Sequence, residues 1–112
     1  MIQLGETVEK IESILDALSE ALDEYGKRMS ESTRAESEWK VARARMLLLA
    51  RHEPELKSAD QRDAWVLDQL DKEYVAHLTA QARADTQRER MRTLRDLLGG
   101  YQTLNATMRN AT

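Results

Sequence analysis

The chain has 112 residues, of which 41% are hydrophobic, 33% charged and 4% aromatic, with a mean hydropathy of -0.67. That leaves too little apolar mass for a thick single core, and four glycines with one proline favour a small all-helical unit. The lack of cysteine excludes a disulfide framework, a thiolate metal site and a cysteine nucleophile, while a formal net charge of -3 gives no global pull toward nucleic acid or anionic membrane.

The segment Met1–Glu9 carries neither the basic nor the apolar region of a signal peptide, and no stretch nears the roughly 18 apolar residues of a membrane span. A soluble cytoplasmic protein with no membrane partner is therefore expected. The first arm is expected from about Leu4 to Arg51. It opens with Leu4, Val8, Ile11, Leu15, Leu18, Leu22, Tyr25 and Met29, spaced alternately by four and three residues, as a helix needs to bury a narrow seam against a partner helix. Beyond Met29 the pattern resumes as Ala35, Trp39, Ala42, Met46 and Leu49, displaced by an extra three-residue step that overwinds a coiled coil locally. Thr33 and Glu36 at this shift are spaced as a capping box, which two helices would use; one kinked helix is the favoured reading.

The turn is expected at residues 52–58. Pro54 lacks a backbone donor and disfavours helix at Glu53, and Ser58 followed by Gln61 has the reciprocal capping pattern that opens a helix. The second arm, expected over about residues 59–109, shows Leu67, Leu70, Tyr74 and Leu78 near the turn. Met91, Leu94, Leu98, Tyr101, Leu104 and Met108 follow toward the end, with only alanines interrupting the polar stretch between. Gly99-Gly100 reads as a flexible joint rather than a phosphate cradle.

Folding the arms back around Pro54 pairs residues whose numbers total about 111, the geometry of an antiparallel hairpin with a short loop. Met46 then faces Trp65, and Leu15 faces Asp96–Leu98. The apolar, weak and apolar stretches of the two arms coincide in this register, which supports a single domain, residues 1–112, folded as a long, coiled-coil-like all-α hairpin. The seam is Leu4, Val8, Ile11, Leu15, Leu18, Leu22, Tyr25, Trp39 and Met46 on one arm and Trp65, Leu70, Tyr74, Leu94, Leu98 and Tyr101 on the other. Off-seam Ile14, Val41, Leu47, Leu48, Val66, Val75 and Leu97 widen the stripe beyond one partner helix, so self-association is expected, with a dimer forming a four-helix bundle as the simplest case.

Chemistry-bearing residues are few. His52 and His77 lack the spacing of helical metal sites, although Glu73 lies one turn before His77; structural or solvated roles are expected, with no metal, cofactor or catalytic residue. Carboxylates fall mainly outside the seam, where paired acid–base work has no buried partner. Charge is polarised instead. Met1–Glu24 holds seven acids against Lys10, and Arg83–Arg95 holds five arginines against Asp85 and Glu89. The plainer use of this polarity is to fix the antiparallel register through flanking ion pairs. The sharper use is a one-sided stripe of Arg88, Arg92 and Arg95 that grips a nucleic-acid backbone or an acidic partner, though no aromatic residue interleaves with it. Trp39 and Trp65 are read as core near the turn rather than as anchors for a partner.

Three segments carry a family resemblance: Glu38-Trp39-Lys40-Val41-Ala42-Arg43-Ala44-Arg45, Lys57-Ser58-Ala59-Asp60-Gln61-Arg62, and Leu94-Arg95-Asp96-Leu97-Leu98-Gly99-Gly100-Tyr101-Gln102-Thr103-Leu104-Asn105. On these the chain, mainly over Glu36 to Met108, resembles small helical accessory proteins of tailed bacteriophages and prophages encoded in DNA recombination or replication modules. It departs from their usual turn in having Pro54 and no glycine there. The resemblance implies an accessory role around single-stranded DNA, a recombinase or a replication protein, with a phage or host protein as partner. The expected function is a non-enzymatic, oligomerising adaptor. The alternative is a purely structural coiled-coil assembly, or an inhibitor of a host protein, without nucleic-acid contact.

Overall fold

The computed structural model describes residues 3–111; Met1 and Ile2, on which the reading of the N-terminal segment partly depends, and Thr112 lie outside them. The fold is an all-α helical hairpin. Helix α1 spans Leu4–Ala50, α2 spans Ala59–Gln69 and α3 spans Asp71–Ala111. The reversal lies where Pro54 and Ser58 place it. The Ser58 hydroxyl accepts from the Gln61 amide at 3.1 Å, and the Gln61 side-chain oxygen accepts from the amides of Ser58 at 3.2 Å and Lys57 at 2.7 Å. This satisfies donors that the first turn of α2 otherwise leaves unpaired.

Helix α1 is continuous, so Thr33 and Glu36 cap nothing; Glu36 instead pairs with Lys40 at 2.9 Å one turn on. The second arm is two helices rather than one. Leu70 leaves the helical region with φ -111 and ψ 29, yet its amide still donates to the Val66 carbonyl and its carbonyl still accepts from Tyr74, both at 2.9 Å. The break therefore keeps the backbone bonds on either side of it. At the break the buried stripe takes two successive four-residue steps, through Val66, Leu70 and Tyr74.

Packing divides the chain into two units. One comprises Met1–Lys27 with Asp85–Thr112, the other Arg28–Ala84. In the first unit the buried and half-buried residues of α1 include Thr7, Ile11, Ile14, Leu18, Ala21 and Tyr25, and those of α3 include Gln87, Met91, Leu94, Leu98, Tyr101, Asn105 and Met108. Thr7 is fully buried, its hydroxyl donating to the Gln3 carbonyl at 3.2 Å and lying 3.5 Å from the Met108 sulfur. The Gln87 amide donates to the Ala21 carbonyl at 3.0 Å.

In the second unit Ala50, Val66 and Leu70 form the buried centre, with Trp39, Ala42, Met46, Leu47, Leu56 and Trp65 packed on it. Trp39 also meets Tyr74 edge to face at 4.9 Å, and Arg43 pairs with Asp63 at 3.6 Å. Thr7 with Met108, Tyr25 with Arg88 and Trp39 with Tyr74 all agree with a register total of about 111, within one helical turn.

The seam differs from the expected one in two respects. Of the expected residues, Ile11, Leu18, Tyr25, Trp39, Met46, Trp65, Leu70, Tyr74, Leu94, Leu98 and Tyr101 are buried or half-buried. Leu4, Val8, Leu15, Leu22 and Met29 are exposed in the single chain, and Thr7, Ile14 and Ala21 take the inner positions instead. The second difference follows. Thr7, Ile11, Ile14, Leu18, Ala21, Tyr25, Arg28, Ser32, Ala35, Trp39, Ala42 and Met46 alternate four and three without a break, so α1 has no phase shift between Met29 and Ala35. The shift belongs to α3, where His77, Ala80 and Ala84 are separated by three and four after a three-residue step from Tyr74. Gly99 and Gly100 lie within α3, and the helix runs through them.

Candidate interaction surface

The offset of the seam by one residue creates the main surface feature of the first unit. Over Thr7–Tyr25, and Thr7 apart, apolar side chains occupy three positions of each heptad of α1, and the hairpin partner takes only two. Val8, Leu15 and Leu22, at seven-residue intervals, are left as a ridge, with Leu15 49% and Leu22 57% exposed. Leu4 extends it at the N-terminal end. A sequence search for the longest run of large aliphatic residues finds this ridge and takes it for the core, because the true inner positions hold small or polar residues such as Thr7 and Ala21. Extending the spacing backward from Trp39 and Ala35 recovers the inner seam.

The arginines lie on α3 of the same unit. Arg88 donates through Nε to the Tyr25 hydroxyl at 3.3 Å, with its guanidinium carbon 5.9 Å from the ring centre, and lies 3.7 Å from Asp85. The hydrogen bond to Tyr25 raises its pKa, and the guanidinium stays charged throughout. Tyr25 follows Leu22 by three residues on α1, so this stacking sets Arg88 at the margin of the ridge. Arg92 is 3.1 Å from Glu89, one turn before it on α3. Arg95 is exposed and has no ion partner among the described residues. Arg88 and Arg92 are thus held by carboxylates on their own helix, and the bond from Arg88 that crosses to the other arm goes to a phenol.

Elsewhere on α3, Thr93, Asp96, Leu97, Gly100, Tyr101 and Leu104 line an open groove of about 560 Å³. A Cβ at Gly100 would meet nothing within 4 Å, so the groove is open there. The residues recur at three, four and seven, the arrangement that receives a side chain from a facing helix. In the second unit Val41, Leu48, Leu49, Leu67, Val75 and Leu78 are exposed apolar residues. His77 lies parallel to Trp39 at 6.4 Å, with its Nδ1 buried and unbonded. The hydrogen bond from Lys40 holds the Glu36 carboxyl below its ordinary value, with the Lys40 charge and His77 adding to the effect.

Among the described residues no group of His, Asp or Glu is placed to hold a metal ion, and no helix is long and apolar enough to cross a membrane. The surfaces available are an apolar ridge, a flanking run of arginines and an open groove on α3. These are the materials of helix-to-helix recognition. No family model, curated protein or solved structure matches the chain.

Proposed function

We propose that this chain is a non-enzymatic, self-associating helical adaptor that works through protein–protein contacts in the cytoplasm. The observation that carries the reading is the ridge of Val8, Leu15 and Leu22 on α1, which the hairpin leaves uncovered. Large aliphatic residues in line on a helix are costly to leave in water, at about 25 cal/mol per Å² of apolar surface, and a partner helix removes that cost. The biological setting, an accessory role in phage DNA recombination or replication with a phage or host protein as partner, comes from the resemblance alone.

The test is association itself. Sedimentation of the wild-type chain should show a mass above that of the monomer, and Leu15→Glu with Leu22→Glu should reduce it while helicity is kept. A wild-type chain that remains monomeric at every concentration and loses no partner on these substitutions refutes the reading. Direct binding to single-stranded DNA is the rival use of the arginines. It predicts affinity that falls steeply with salt and disappears when Arg88, Arg92 and Arg95 are all replaced by Gln. The pairing of Arg88 with Tyr25 and Asp85, and of Arg92 with Glu89, favours the protein-contact reading.

A further inference from the structure

Position around α1 decides what can cover the ridge. Thr7, Ile11, Ile14 and Leu18 face α3, and at about 100° per residue Val8, Leu15 and Leu22 stand about 80° to one side of that direction. Glu12, Asp16 and Asp23 lie beyond the ridge, on the flank of α1 turned away from α3. On α3, Arg88 and Arg95 stand about 80° from the direction of α1, and the bond from Arg88 to Tyr25 puts them on the same face as the ridge. This face of the first unit therefore carries three rows in order: carboxylates, aliphatic side chains, arginines.

The outer rows match in level as well as in sign. The arms pair residues whose numbers total about 111, so Arg95 is level with Asp16 and Arg88 with Asp23, to within a turn. Asp16, Asp23 and Arg95 are exposed and have no ion partner among the described residues. The Arg88 guanidinium has donors beyond those it turns to Tyr25 and Asp85. Within one chain the two rows cannot meet, because the ridge and the seam lie between them.

A second copy can lie along the ridge in two directions, and the order of the rows separates them. Run antiparallel, it sets acids beside acids on one flank and α3 beside α3 on the other, like charge against like. Run parallel, about a two-fold axis along the helices, it reverses the order, so that the acidic flank of each copy faces the arginine row of the other. We propose that two copies of this chain associate as a parallel, two-fold dimer through Val8, Leu15 and Leu22, with Asp16 and Asp23 of each copy paired to Arg95 and Arg88 of the other. Each ridge residue meets its own counterpart, as equivalent positions do in a parallel coiled coil. The ridge alone falls short of the about 800 Å² per partner in a standard interface, and the contact of each acidic flank with the other α3 extends it. The proposal deepens the self-association reading and depends on it.

The chain has no cysteine, so single-cysteine variants report the geometry directly. Under mild oxidation Val8→Cys, Leu15→Cys and Leu22→Cys should each form a disulfide-linked dimer alone, whereas Ser13→Cys, exposed on the other side of α1, should not. An antiparallel pair centred on Leu15 would separate the like thiols at position 8, and those at position 22, by about 20 Å of helix rise. Circular dichroism checks that the helices persist in every variant.

The electrostatic half is tested by charge reversal. Asp16→Arg and Arg95→Asp should each weaken the dimer about tenfold, since each sets two like-charged pairs across the axis. An equimolar mixture of the two variants should recover the wild-type affinity, because both pairs are again of opposite sign in the heterodimer. A wild-type dimer in which Val8→Cys and Leu22→Cys do not crosslink alone, or in which mixing the reversed variants restores nothing, overturns the parallel arrangement and leaves self-association standing. A wild-type chain that is monomeric at all concentrations overturns both.

Discussion

Ile14 and Leu15 are adjacent on α1, differ little in size, and separate the seam in the structure from the run of leucines that dominates the sequence. Ile14 is 8% exposed and Leu15 49% exposed. Replacing either with Ala removes about three methylene-sized groups, each worth about 0.8 kcal/mol when fully buried. For Ile14 nearly all of that is lost on substitution, about 2 kcal/mol before any cavity term, which places Ile14→Ala near the lower end of the 2–5 kcal/mol range for core truncations. For Leu15 about half is already in water, so Leu15→Ala should cost about 1 kcal/mol. The difference of about 1 kcal/mol corresponds to roughly a fivefold change in the folding equilibrium. Urea unfolding followed by circular dichroism at low micromolar concentration measures both. Repeating it at higher concentration separates the seam from the ridge, because self-association through Leu15 makes the cost of Leu15→Ala rise with concentration. If Leu15→Ala is the more damaging change at the lowest concentration, the assignment of Ile14 to the inner position is wrong.

Four further outcomes follow from particular contacts. Gly26→Ala should stabilise the chain by roughly 0.5–1 kcal/mol in thermal unfolding, because Gly26 lies inside α1 and a Cβ there meets nothing within 4 Å. Ser58→Ala should cost about 1 kcal/mol by the same measurement, since it removes the hydroxyl that caps the Gln61 amide. Asn105→Leu should raise stability by about 1 kcal/mol, because the Asn105 side-chain oxygen is buried without a partner at an inner position of α3. Lys40→Met should return the Glu36 carboxyl toward its ordinary value of 4.5 in an NMR titration. The sign is that of a depressed carboxyl: the pair's contribution is present above about 4.5 and is lost as pH falls through the lowered folded value, and the exposure of both groups keeps it small.

The parts of the fold that are readable from sequence are those decided by local chemistry. Pro54 cannot donate, and Ser58 with Gln61 forms a capping box, so the turn lies between α1 and α2 where those residues place it. The register is readable because the apolar and weak stretches of the two arms can coincide in only one antiparallel alignment. The face that turns inward is harder to read. A helix that carries Thr7, Val8 and Ile11, then Ile14, Leu15 and Leu18, then Ala21, Leu22 and Tyr25 at three positions of each heptad offers two overlapping stripes, and counting residues favours the one with more leucine. Close approach of the arms favours the other, because Thr7 and Ala21 leave room for Met108 and Gln87. The helix break at Leu70 is also hidden from pattern reading, since Gln69-Leu70-Asp71 contains neither Gly nor Pro.

The same ambiguity explains why Leu4, Val8, Leu15 and Leu22, which read as core in the sequence, lie on the surface of the single chain. In a helix that serves two partners, the stripe facing its own chain and the stripe facing another chain are both apolar, and sequence alone does not rank them. Exposure in the single chain supplies the missing ranking: Ile14 is 8% exposed and Leu15 49%, so the stripe of Thr7, Ile14 and Ala21 faces the chain's own second arm, and the stripe of Val8, Leu15 and Leu22 is the one left uncovered.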